Sequence, residues 1–135
     1  MKKLDIFKKL RTSGLRPTKQ RVEIAKFLFE RDKTFHFTVE SLDKLLAKKT
    51  SSKFALATIY NTVHAFKNAG HLSEVEVRGK KTYFDTNVSN HHHFYDSETS
   101  ELIDIEANEV VIQKMPKAPN GKKIKNVEVF INLKN

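Results

Sequence analysis

Six histidines in a chain of 135 residues that has no cysteine are the groups with the most chemistry to offer. Without thiols, disulfides, thiolate zinc sites and cysteine nucleophiles are all excluded, so any metal chemistry must use imidazole and carboxylate. Three of the histidines are consecutive, His91-His92-His93. Adjacent side chains on a strand point to opposite faces, so His91 and His93 can share one site while His92 turns away from it. His36 stands far from them in sequence and, taken alone, reads as a structural or surface histidine. Imidazole combined with carboxylate oxygen suits divalent first-row metals.

A second set of residues could meet nucleic acid. Ile59, Val63 and Phe66 recur at helical spacing as a core stripe, while Tyr60, His64 and Lys67 form a separate stripe with Asn61 and Asn68 beside it. An asparagine can bind adenine through two hydrogen bonds, a tyrosine ring can pack on a thymine methyl, and lysine neutralises phosphate. The same residues also fit a solvated helix face with one half-buried aromatic. What favours nucleic acid is the basic turn that follows, Arg78-Gly79-Lys80-Lys81.

The charge is unevenly spread. The net value is +9, but residues 1 to 84 hold 19 Lys+Arg against 8 Asp+Glu, and residues 85 to 135 hold 6 against 8. A basic front suited to a polyanion and a mildly acidic back suited to a cation are implied. No stretch approaches the roughly 18 apolar residues of a membrane span, and the first residues lead into no signal-peptide core, so a cytoplasmic location and no membrane partner are expected.

The elements that must position these residues follow from periodicity. Residues 2 to 12 predict a short first helix, stopped at Ser13-Gly14. Thr18 can cap a second, with Val22, Ala25, Leu28 and Phe29 on one face. A third follows Thr38, with His36 at its start and Val39, Leu42, Leu45 and Leu46 on one face. The fourth runs from near Ala57-Thr58 to Gly70. Beyond Gly70 the period falls to two, predicting a hairpin of Leu72 to Val77 and Thr82-Tyr83-Phe84 with a cationic tip. Helices followed by such a hairpin predict a winged helix-turn-helix. The expected linker is Asp85 to Asn90. It is followed by strands at His93 to Tyr95 and Glu101 to Ile105, an amphipathic stretch from Asn108 to Lys114, a loop from Met115 to Gly121, and a last strand from Ile124 to Leu133. The expected fold class is therefore α+β: a winged-helix DNA-binding domain over residues 1-86 and a small α/β domain for dimerisation and sensing over 87-135. So small a unit with open strand edges is expected to be covered by a second copy.

Three segments, in order, carry a family resemblance: Gly14-Leu15-Arg16-Pro17-Thr18-Lys19-Gln20-Arg21, His36-Phe37-Thr38-Val39-Glu40-Ser41-Leu42 and Leu56-Ala57-Thr58-Ile59-Tyr60-Asn61-Thr62. The chain resembles the ferric uptake regulator (Fur) superfamily over almost its whole length. Its tail, with Tyr83 to Asn87, the histidine triplet and Leu102-Ile103-Asp104-Ile105, is similar to the iron response regulator (Irr) branch. The resemblance implies a metal- or haem-responsive transcriptional repressor of iron homeostasis, not an enzyme, that binds palindromic double-stranded DNA operators as a homodimer. The fourth helix would enter the major groove and Arg16 approach the minor groove. The DNA-binding set is then Arg16, Thr58, Tyr60, Asn61, His64, Lys67, Lys80 and Lys81, with Asn61 in place of the arginine many members carry. His36, Asp85, His91, His93 and Asp104 match the regulatory site, which implies one divalent metal (Fe, Mn or Zn) per subunit, although aspartates stand where many members have glutamates. Asp96-Ser97-Glu98-Thr99 replaces the frequent Cys-x-x-Cys, so no cysteine zinc site is expected, and Val127 falls where a second site would need a histidine. The Irr branch reads iron status through haem. Its cysteine-proline motif is missing here, which leaves His91, His92 and His93 as the candidate haem ligands.

Other classes compete. A histidine-based metal- or haem-sequestering protein would bind DNA without preferring a palindrome, and a winged-helix regulator could sense nothing. A metallohydrolase lacks a general base beside an open metal position.

Overall fold

The computed structural model describes residues 5–77, 79 and 81–135. Its chain divides into two compact units, Met1–Val88 and Ser89–Asn135.

Among the described residues the first unit has four helices and a three-stranded sheet. Helix α1 (Ile6–Thr12) starts on Asp5, whose carboxylate accepts from the Lys8 N–H; the expected start at residue 2 lies outside the described residues. Helix α2 (Lys19–Phe29) is capped by the Thr18 hydroxyl, which accepts from the Arg21 N–H. Helix α3 (Val39–Lys49) opens with a reciprocal capping box between Thr38 and Ser41. Helix α4 (Leu56–Asn68) ends at Gly70, whose φ of +86° lets the His71 N–H reach the Phe66 carbonyl and its own N–H reach that of Lys67. The predicted stripes meet in one core around Leu10, Ile24, Leu28, Phe37, Leu42, Leu46, Ile59, Val63 and Phe66, all 2% exposed or less.

The sheet has the order β1-β3-β2, with β1 (His36–Phe37), β2 (Ser73–Glu76) and β3 (Thr82–Asp85) all antiparallel to their neighbours. Two expectations are corrected here. His36 lies on a strand before α3 rather than at the helix start, and Asp85 is the last residue of β3 rather than the first of a linker. Register explains both: His36 pairs with Asp85 and Phe37 with Phe84, so two residues of β1 are zipped onto the hairpin.

The second unit is a sheet of order β5-β4-β6, from β4 (His92–Asp96), β5 (Glu101–Ile105) and β6 (Phe130–Leu133). Strand β6 runs parallel to β4 and covers only the last four residues of the expected 124–133 strand. The 108–114 stretch is not a helix; a single 3-10 turn spans Ala107–Glu109. Val110, Val111 and Ile112 are β-branched neighbours, disfavoured in a helix, and Pro116 and Pro119 follow soon after. Among the described residues no helix is long and apolar enough to cross a membrane.

Candidate metal centre and nucleic-acid interface

In the first unit, the cross-strand register sets the His36 Nε2 3.0 Å from Asp85 Oδ2. The other carboxylate oxygen of Asp85 accepts the Asn87 N–H at 2.8 Å, and the side chain is fully buried. Thr86 locks the same strand end, donating its N–H to the Phe35 carbonyl and accepting the Phe35 N–H on its hydroxyl. The sequence signal for β1 was the alternation Phe35-His36-Phe37, too short to register as a period.

In the second unit, His91 and His93 both turn to Asp104: their Nε2 atoms lie 3.2 and 3.5 Å from its Oδ1. His93 faces Asp104 across the β4–β5 ladder, and its ring stacks on Phe130 of β6 at 5.7 Å. His91 hydrogen-bonds the Ser89 carbonyl through Nδ1 at 2.7 Å. A carbonyl can only accept, so Nδ1 carries the hydrogen, and in the neutral ring the Nε2 lone pair is turned towards the Asp104 carboxylate. Such a pairing calls for a proton or a cation between the two acceptors. Ligands about 2.1 Å from a tetrahedral metal stand roughly 3.4 Å from one another, and the donor spacings of 3.0, 3.2 and 3.5 Å match that scale. The donor set therefore fits a small divalent cation.

His92 points the other way. Its Nδ1 accepts the Val129 N–H at 3.0 Å, tying the approach to β6 against β4. That structural duty of His92 was not read from the sequence.

On the helical side, Tyr60 is 52% exposed on α4, with exposed Asn61 beside it and half-buried Thr58, His64 and Lys67 on the same element. Arg16 is exposed in the turn between α1 and α2, where its carbonyl accepts from the Arg21 guanidinium. Lys81 is exposed at the hairpin tip; Lys80 lies outside the described residues. Between α4 and the hairpin runs a groove of about 420 Å³, lined among others by Glu40, Tyr60, His64, Glu74, Lys81 and Phe84. Elsewhere in this unit the His71 ring lies 2.8 Å from the Ser13 hydroxyl and edge-on to Phe29 and Phe66. Burial, with Lys9 adding to it, lowers the His71 pKa below the ordinary 6.5.

The family model for the ferric uptake regulator family matches residues 12–133. The chain belongs to the ferric uptake regulator family. Members of this family are transcription regulators rather than enzymes. A ferric uptake regulation protein of Rhizobium leguminosarum bv. viciae is 32% identical over 98 residues, 72% of this chain and 67% of that protein. A peroxide-responsive repressor, PerR, of Staphylococcus epidermidis is 30% identical over 95 residues, 70% of this chain; the chain spans only 61% of that relative. The ferric uptake regulator of Pseudomonas aeruginosa, solved with manganese, superposes with a TM-score of 0.73 at 21% identity, covering 98% of each chain. That of Vibrio cholerae gives the same score and identity over 97% of this chain and all of the other. The α+β fold, helices and small sheets with a helix-turn-helix unit first, is the fold of the ferric uptake regulators.

Proposed function

We propose that the protein is a metal-responsive transcriptional regulator that binds a palindromic DNA operator as a homodimer. One divalent cation, Fe, Mn or Zn, is held per chain by His36, Asp85, His91, His93 and Asp104. The observation that carries this reading is the pair of preorganised donor groups, His36 with Asp85 and His91 with His93 on Asp104, at ligand-to-ligand spacings. When bound, the cation neutralises both carboxylates and tethers residues on either side of the segment from Thr86 to Asn90. The chain's own residues do the rest. Asn87 and Ser89 orient a carboxylate and an imidazole through backbone groups, as outer-shell partners commonly do for ligands. Two reading helices of a dimer must lie about 34 Å apart, or a multiple of it, to enter successive major grooves. Restricting the segment between the units therefore restricts operator affinity, by as much as the cation prefers one arrangement.

The helix α4 face and Lys81 support the DNA side of the reading, with Tyr60 contacting bases, Arg16 approaching the minor groove, the wing lysines contacting the backbone, and Asn61 altering the sequence read. The row Ile103, Phe94, Ile131 across β5, β4 and β6, two exposed isoleucines flanking a half-buried phenylalanine, supports dimerisation through residues 87 to 135. A cation is favoured over haem, because both histidines converge on a single carboxylate oxygen and His92 already spends Nδ1 on Val129. A link to iron homeostasis follows from the likeness of the tail to the Irr branch. The test is a metal titration of His91→Ala/His93→Ala against the parent. That double variant keeps one nitrogen donor and is expected to lose more than about 100-fold in affinity; parent-like affinity in a folded double variant overturns the site.

A further inference from the structure

A series of rings runs through the first unit on the face of the β1-β3-β2 sheet opposite His36 and Asp85. Phe37 on β1 stacks on Phe84 of β3 at 5.9 Å, Phe84 meets the edge of His64 on α4 at 5.6 Å, and His64 lies 4.2 Å from the Tyr60 ring. Each strand supplies one member to each face. His36 pairs with Asp85, and one residue along Phe37 pairs with Phe84. Because side chains alternate, a change in the spacing or twist of β1 on β3 at the first pair is also a change at the second. β1 is two residues long at the edge of the sheet, so its seat on β3 rests on few backbone bonds. Phe37 and Phe84 are both 2% exposed, and close-packed interiors pass on displacement rather than absorb it. At the other end Tyr60 is half exposed beside the open groove, so its ring is less confined than Phe37 and Phe84.

We propose that Phe37, Phe84 and His64 couple the His36–Asp85 pair to the orientation of Tyr60, which makes His64 a positioning residue of the reading helix rather than a reader of bases. This rests on the reading above, in which His36 and Asp85 hold a cation and Tyr60 meets DNA. It adds a route inside the DNA-binding unit, independent of the segment joining the two units. The stacked ring, not the imidazole nitrogens, is what the coupling needs, so phenylalanine serves at position 64 and alanine does not.

The test uses zinc, which is diamagnetic, and the full chain labelled on its three tyrosine rings. Tyr60 is assigned by Tyr60→Phe. Without DNA, zinc is expected to shift the Tyr60 ring resonance in the parent and in His64→Phe, and to leave it in place in folded His64→Ala. Binding to a duplex selected from a random library by the zinc-loaded parent gives the second readout. Coupling energies of this type correspond to roughly 5- to 150-fold in affinity; the ratio of zinc-loaded to zinc-free affinity, taken within each variant, is expected to fall towards one in His64→Ala and to return to the parent's value in His64→Phe. A parent-like shift and gain in His64→Ala overturn the relay and leave the proposed function standing. Loss of duplex affinity by His64→Ala and His64→Phe alike, with or without zinc, makes His64 a reader and also overturns it. A parent that binds zinc with no change in duplex affinity overturns both.

Discussion

Tyr60 and Lys81 ask different things of DNA, and substitution separates them. Tyr60→Ala removes a base contact, so it is expected to cost about 1–3 kcal/mol on the selected duplex and little on random duplex. Lys81→Ala weakens both and reduces the salt slope by about 1. Competition binding on the two duplexes across a salt series measures this, and equal losses for Tyr60→Ala would take that ring off the reading face. Along the histidine triplet, alternation was enough to separate His91 and His93 from His92, and the two do share Asp104 while His92 is turned to Val129. What alternation could not supply was the partner of His36: Asp85 is 49 positions away and meets it only because β1 pairs with β3. His71 adds a pH effect of known sign. Its pKa is lowered in the fold, so the neutral ring is favoured there; the stability it contributes is complete above pH 6.5 and is lost as pH falls through the lowered value. Urea midpoints of the parent are expected to drop more between pH 7.5 and 5.5 than those of His71→Gln, and an identical drop in both would remove His71 as the cause.

Helices were more legible than strands. In α2 and α3 the apolar stripe and the capping threonine agree, in α4 the apolar stripe and the terminating Gly70 agree, and the observed starts fall within a residue or two of those expected. Strand β6 was overestimated because the alternation of Val127, Val129, Ile131 and Leu133 carries no information on the partner strand, whose paired register starts only at His93 with Phe130. The periodic signal reports which side chains could share a face, while the partner strand decides how many of them do. Gly70 gives a clean test of the helix ends. A Cβ there would meet nothing within 4 Å, so only its φ of +86° opposes a side chain. Gly70→Ala is expected to destabilise by roughly 1–2 kcal/mol without changing contacts, read from urea unfolding; no loss would mean that the helix end relaxes to another conformation.

For the molecule as a whole, the charge division seen in the sequence runs close to the division into units, with the basic share in the helical unit and His91 and His93 in the smaller one. The 45% exposed Ile103 and the 40% exposed Ile131, on either side of half-buried Phe94, give that smaller unit a partly exposed apolar row. Ile103→Lys/Ile131→Lys is expected to shift the protein from dimer to monomer by light scattering at micromolar concentration; a parent that is already monomeric would end the dimer proposal. The central claim is that metal occupancy controls DNA affinity. Its most direct measurement is the affinity of the parent and of His91→Ala/His93→Ala for the selected duplex, each with and without the divalent metal found in the purified protein. The account predicts an affinity that changes with metal in the parent and is the same with and without metal in the double variant. Equal affinity in the parent under both conditions, with metal shown to be bound, would contradict it.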